Sequence, residues 1–332
     1  MNKFQAFQKE FFKQIESKVS SKKLVHVLVE TLNISSDSAY RRIRNEKMLT
    51  LDEAIVLSKH FAIPLDQFTQ DQTKTVIPFT FDFLDKEYDF TEYLKSILFN
   101  FSVIKQQNGT LYYSAKDIPI FYHMAHGYLG KFKVLYWLKT MLNQKDYQAV
   151  RFDDFHNFEK FKPLLAQVNK EYYSLNSVEI WNYETSHSVL SQVEYYYNLN
   201  FINKENALLV LEDYQSELKE IVRFSESGQK VPCGEEPIKG VENFKLFYNE
   251  VFAADNSILA KSDNFKAAFL PHINLNYMTT LDPSYCSYME GVFDLVMQKS
   301  TLISGVNERD RNIFFNYNFE RVNKLIEKIK NK

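Results

Sequence analysis

The sequence predicts a mainly α protein in three parts: an N-terminal helix-turn-helix bundle, a helical middle region that is a bundle or a set of degenerate helical repeats, and a small α+β C-terminal region with a three-strand antiparallel meander. Three observations predict it. Apolar residues recur at spacings of three and four through 4–68 and in several runs between 88 and 224, the period of one helix face. Composition changes at the polar stretch 69–75 and again at the Gly- and Pro-rich stretch 225–237, which read as a linker and a boundary loop. Beyond the second change, the short runs 257–260, 265–270 and 275–280 are separated by Lys261-Ser262-Asp263-Asn264 and Pro271-His272-Ile273-Asn274, a pattern of strands joined by turns. The expected division is 1–70, a linker at 71–78, an aromatic-rich helical domain at 79–228 and a small α+β region at 241–332.

A first helix over 4–19 aligns Phe4, Phe7, Phe11 and Ile15 as one apolar stripe. A second over 22–32 buries Leu24, Val25, Leu28, Val29 and Leu32 and leaves Lys22, Lys23 and His26 toward solvent. Asn33-Ile34-Ser35-Ser36 makes the turn, since Asn suits a helix end and Ser36 is a good cap. A short helix over 36–44 follows. At about 100° per residue, Ala39, Tyr40 and Ile43 fall on its inner face, while Asp37, Ser38, Arg41 and Asn45 point away. Those four are the candidate base readers, because short polar side chains let a backbone approach base edges and a guanidinium reaches guanine. Arg42 and Arg44 on the flanks, Lys47 in the next loop, and Lys22 and Lys23 are the candidate phosphate contacts. Thr50-Leu51-Asp52-Glu53 has the form of a capping box and opens a helix with Leu51, Ala54, Ile55 and Leu57 before Phe61. One more short turn, 62–68, closes the bundle.

This order of elements, with its ending Ile63-Pro64-Leu65-Asp66-Gln67-Phe68, resembles the Cro-like, phage-repressor class of helix-turn-helix domains over about residues 20–70. The usual Gly after the recognition helix is replaced by Asn45-Glu46, and the Gln that in the family often contacts phosphate is absent. The resemblance implies double-stranded DNA as a partner and a homodimer on paired half-sites.

In the remainder, helices are expected at 88–105, 118–126, 131–142, 158–173, 188–197 and 205–224, with a tight turn at Asn108-Gly109 and an extended piece at 110–114. A tetratricopeptide period of about 34 residues does not align. After the boundary loop come a helix at 241–252, the meander, and helices at 283–298 and 307–330. In the last, Phe315, Phe319, Val322, Ile326 and Ile329 recur at four, three, four and three. That seam is a candidate dimerisation surface or a face packed on the preceding sheet.

Charge is informative by distribution. The chain's formal net charge is -2, but residues 1–70 hold eight Lys and three Arg against three Asp and five Glu, a net of +3. A mildly basic module on an acidic body fits a local binding end rather than a general nucleic-acid coat. Cys233 and Cys286 are far apart and read as reduced thiols. The first fifteen residues lack the apolar run of a secretory signal, and no stretch approaches the roughly 20 apolar residues of a membrane span, so a cytoplasmic protein away from membranes is expected. Phosphate-cradling and nucleophile-elbow motifs are missing. His123 and His126 share a helix face at i and i+3, but their aromatic flanks and the lack of a carboxylate partner motif favour packing over metal binding. Asp282, His272 and Cys286 lie close in sequence without an ordered base and orienting group. The expected protein is therefore a non-enzymatic, sequence-specific transcription regulator with no cofactor, whose C-terminal region senses a small-molecule or peptide effector or mediates dimerisation. The alternative is a protein-interaction scaffold without DNA binding.

Overall fold

A computed structural model describes residues 3–19, 21–68, 76–82, 89–232, 234–252, 254–272 and 275–332. The expected linker 71–78 falls outside them as far as residue 75, as does Cys233. The chain divides into two compact units, Met1–Pro78 and Phe79–Lys332.

The first unit holds helices α1 (Lys3–Lys18), α2 (Ser21–Leu32), α3 (Ser36–Ile43) and α4 (Leu51–Phe61), then a 3-10 turn at Leu65–Phe68. Gln8, Phe11, Phe12 and Ile15 form the buried face of α1, the i, i+3, i+4, i+7 spacing of a helix stripe. Phe4, assigned to that stripe from sequence, is exposed, and Phe12 is buried in its stead. Leu24 and Leu28 of α2, Ala39 of α3 and Leu57 and Phe61 of α4 complete the core. Each chain reversal has a local cause. Asn33 takes a positive φ of 51° after α2, a conformation Asn tolerates better than most residues. Lys18 Nζ donates to Phe61 O at 2.7 Å, satisfying a carbonyl at the end of α4 that the helix itself leaves open.

The second unit begins with β1 (Thr80–Phe81), α5 (Phe90–Gln106), β2 (Thr110–Ser114), α6 (Ile120–His123), α7 (Gly127–Tyr136) and α8 (Lys162–Ser174). It continues through β3 (Asn176–Trp181), α9 (His187–Asn198), α10 (Lys204–Ser227), β4 (Phe244–Tyr248), β5 (Ile258–Lys261), β6 (Lys266–His272) and β7 (Asn276–Thr280), and ends with α11 (Pro283–Gln298), β8 (Thr301–Leu302) and α12 (Glu308–Lys330). The strands make one eight-stranded sheet in the order β1-β7-β6-β5-β2-β3-β4-β8. β2, β3 and β4 run parallel, with Tyr112 opposite Val178 and Ile180 opposite Phe247. Strand side chains alternate between faces. Leu111, Tyr113, Trp181, Leu246, Ile258 and Ala260 face a thick layer drawn from α5 through α10 and α12. On the other side, Ile180, Leu259 and Ala268 lie with Cys286, Met289, Phe293 and Val296 of α11.

This topology corrects the expected fold class. The chain is mainly helical, and β5, β6 and β7 are antiparallel neighbours, but they are not a separate meander in a small C-terminal region. β5 pairs with β2, so strands from the expected helical middle and from the C-terminal region share one mixed sheet. The stretch 244–248, expected within a helix, is strand β4, and β3 was not anticipated at all. The seam on α12 is corrected too. Phe315, Val322 and Ile329 are buried, and Phe319 and Ile326 pack partly buried against the same core, so these five residues are consumed within the unit and cannot form a dimer seam.

Polar groups inside the helical face explain why β3 was hard to see. Glu179 is fully buried and accepts from the hydroxyls of Tyr122 and Tyr172 at 2.6 Å each and from Trp181 Nε1 at 2.9 Å. Burial raises its pKa. Lys230 Nζ donates to Tyr172 O at 2.8 Å and Ser177 Oγ at 2.9 Å, and burial lowers its pKa to about 7. Nearby in sequence to Tyr122, His123 Nδ1 lies 2.8 Å from Glu217 Oε2 on α10. Burial pushes Glu217 up to about 8 and His123 well down, so the pair shares a neutral hydrogen bond near pH 7. A folded-state pKa above the usual 4.5 means that the folded protein holds this proton more tightly than the unfolded chain. Its stabilising effect is complete below about 4.5 and is lost as pH rises through about 8. Glu217→Gln keeps the shape and a donor but cannot ionise. The wild-type urea midpoint should therefore fall more steeply than that of Glu217→Gln between pH 5 and 8, and parallel profiles would contradict this account.

Candidate nucleic-acid interface

The candidate surface is built on α3 from the inside outward. Ser35, not Ser36, is the N-cap: its backbone is extended and its hydroxyl accepts from Ser38 N at 3.2 Å. On the inner face, Ala39 and Arg42 are buried, Arg42 being 3% exposed. The Arg42 guanidinium makes a two-point contact with Glu53 on α4, Nε to Oε2 at 2.9 Å and Nη2 to Oε1 at 2.5 Å. Its Nη1 donates to Ser38 O at 3.0 Å and also to the Ser38 hydroxyl. Glu53 is at the same time the capping-box residue of α4: Thr50 N donates to its Oε2 at 3.1 Å while Thr50 Oγ1 accepts from Glu53 N at 3.3 Å. The Arg42 hydrogen bond holds the Glu53 carboxyl below the usual range, keeping it ionised for both tasks.

The loop after α3 is fixed from α1. Gln8 Nε2 donates to Arg42 O at 2.7 Å and Lys47 O at 2.9 Å, and its Oε1 accepts from Leu49 N at 2.7 Å. A single buried amide thus pins both ends of the α3–α4 connection. Asn45 sits in the left-handed region with φ 60°, supplying the conformation for which Gly is the usual residue after a helix. Glu46 N can then donate back to Arg41 O at 2.8 Å.

What remains outside is a short row. Asp37, Arg41 and Arg44 are exposed, as is Lys47 in the following loop. Tyr40 is 47% exposed, with the Arg44 guanidinium 5.7 Å from its ring centroid. The row offers a carboxylate, two guanidiniums, an ammonium and an aromatic ring along the two turns of α3 and the loop that follows. Such groups suit a cytosine amino group, a guanine edge and phosphates.

Three of the sequence-derived site residues are not available there. Arg42 is buried in its pair with Glu53 and cannot meet phosphate. Asn45 is turned to α1, its Nδ2 donating to Gln5 O at 3.1 Å. Ser38 is half-buried and its hydroxyl is engaged by Arg42. The side chains of Lys22 and Lys23 lie outside the described residues. Tyr40, placed inward from sequence, was the residue missed. The spacing of Arg42 and the capping-box Glu53 is the signal that could have found it, because a carboxylate facing α3 draws Arg42 inward and rotates Tyr40 out.

Scans of protein-family models, of curated proteins and of solved structures each return no match.

The other residues considered from sequence are occupied in the second unit. His123 is bonded to Glu217, and His126 Nε2 is 3.7 Å from Glu220. Among the described residues, no three His, Cys, Asp or Glu side chains are grouped to hold a metal. Asp282 caps α11, accepting from Ser284 N and Tyr285 N, His272 sits edge-on to Phe81, and Cys286 is buried with Sγ 3.7 Å from Thr280 O. No helix among the described residues is long and apolar enough to cross a membrane.

Removing Glu53 tests the frame. Glu53→Ala strands a buried guanidinium and deletes the capping box, so it should destabilise the N-terminal unit by about 3 kcal/mol in urea unfolding followed by circular dichroism. A loss below about 1 kcal/mol, the scale of an exposed ion pair, would contradict it.

Proposed function

We propose that this chain is a sequence-specific transcription regulator that binds double-stranded DNA through α3, while the unit from Phe79 to Lys332 senses an effector or brings two copies together. The observation that carries the reading is the division of α3: one face is locked by Arg42, Glu53 and Gln8, and the other presents Asp37, Tyr40, Arg41 and Arg44 to solvent. A helix that enters a major groove needs such a division, rigid behind and polar in front. The order of elements, with its similarity to Cro-like domains, supports the same reading. So does the local positive charge of residues 1–70.

In this reading Arg41 reads a base, and Arg44 and Lys47 meet phosphates. Because Arg44 also leans on Tyr40, the ring fixes the direction in which its guanidinium reaches. Two copies on paired half-sites would give a palindromic target, and their contact must use a surface other than the buried seam on α12.

The scaffold reading draws on Leu51, Ile55 and Val56, which α4 exposes. Contiguous apolar exposure is a mark of protein contact. Selection of the full chain against a random duplex pool separates the two. Enrichment of one palindromic sequence supports the regulator, and a pool that stays unenriched supports the scaffold. On the selected duplex, Arg41→Ala should cost about 1–3 kcal/mol and relax preference at one base pair. Arg44→Ala should weaken all sequences alike and reduce the salt slope by about 1. Equal affinities for wild type and both variants would overturn the assignment.

A further inference from the structure

The helical face of the sheet leaves one part of the second unit unfilled. A pocket of about 150 Å³ lies between α5 and the strands β2, β5, β6 and β7. Its walls are mixed: Ile97 and Phe101 from α5 face Leu111, Ile258 and Phe269 from the sheet, and Ser96, Asn100, Asn276 and Thr279 add polar side chains. Protein interiors otherwise pack to the density of organic crystals, and this pocket is partly open to solvent. A cavity near 150 Å³ accommodates a single aromatic ring.

Of the polar groups, Ser96 already donates to Tyr93 O and Asn276 to Asp82 O. Tyr113 and Tyr277 both line it, and their hydroxyls stand 3.5 Å apart. A hydroxyl–hydroxyl bond is ordinarily about 2.7–2.8 Å, so neither oxygen is well satisfied by the other. Burial raises the pKa of both, Tyr277 to about 12, so each remains a neutral donor and acceptor. Among the described residues of the lining, the only ionisable side chain besides tyrosines is that of Asp82, which is exposed. Among those residues a ligand anion would meet a carboxylate and no cation, and burying an unpaired charge is costly.

The geometry points to a binding site for a neutral phenol-class aromatic, its ring filling the space between α5 and the sheet and its hydroxyl bridging Tyr113 and Tyr277. The site gives the effector-sensing unit of the regulator reading a location and a ligand chemistry, and so rests on that reading for its regulatory meaning. The binding itself does not depend on DNA.

Calorimetric titration of the full chain with phenol, toluene and benzoate, in the absence of DNA, tests it. Phenol should bind saturably at one site, toluene more weakly, and benzoate not at all. Tyr277→Phe should lower phenol affinity about fivefold to tenfold, the effect of one hydrogen bond, and leave toluene unchanged. Ile97→Phe, which fills the pocket, should abolish binding of both while the circular dichroism spectrum and urea midpoint verify its fold. Absence of saturation by phenol, binding of benzoate as tight as that of phenol, or an unchanged phenol-to-toluene ratio in Tyr277→Phe would each overturn the proposal. Selection on random DNA contains no ligand and this titration contains no DNA, so failure of one is read separately from failure of the other.

Discussion

The pairing of Arg42 with Glu53 governs the N-terminal unit. Withdrawing a guanidinium from water costs several kcal/mol, and a single exposed ion pair returns too little to offset that. Here the charge is met by two parallel contacts from one carboxylate and by the carbonyl of Ser38. The same carboxylate closes the capping box of α4, so the start of α4 and the roll of α3 are set by one group. Once Arg42 is inside, the 100° step of the helix puts Tyr40 and Arg41 outside. Gln8 then fixes the following loop through three hydrogen bonds from α1. The first helix is therefore an internal brace of the unit, and the exposed row on α3 is the consequence of what is buried behind it.

The second unit solves a different problem. Carboxylates are buried beneath the helical layer with partners: Glu179 of β3 has two tyrosines and a tryptophan, and Glu217 of α10 has His123. A buried carboxylate left unpaired would cost more than any of these contacts returns singly. The two tyrosine hydroxyls at the pocket stand apart from that pattern. The hydroxyls of Tyr113 and Tyr277 are 3.5 Å from each other, longer than an ordinary hydroxyl–hydroxyl bond.

Much of the chain was legible from local chemistry. The capping box at Thr50 and Glu53, the helix from Pro283 to Gln298 and the three antiparallel strands β5 to β7 follow from spacing, caps and turn residues. The mixed sheet was not legible, because β3 carries Ser177 and Glu179 toward the core and so loses the apolar signature of a buried parallel strand. β4 failed for the opposite reason: Phe244, Leu246, Phe247 and Tyr248 also fit a helix face in a short run. On α3 helical phase groups Tyr40 with Ala39 and Ile43 on the inner face, and the ion pair of Arg42 with Glu53 reverses that assignment. On α12 the heptad spacing was real, but spacing alone does not say whether the partner is a second chain or the chain's own core.

In the proposed reading, the exposed row of α3 meets DNA while the frame behind it stays fixed. The direct measurement is a nuclear magnetic resonance titration of the isotopically labelled full chain with its selected duplex. Resonances of Asp37, Tyr40, Arg41, Arg44 and Lys47 should shift saturably, and those of Gln8, Arg42 and Glu53 should move little. Duplex binding that leaves the α3 row unperturbed, or perturbations centred on the unit from Phe79 to Lys332, would contradict the account.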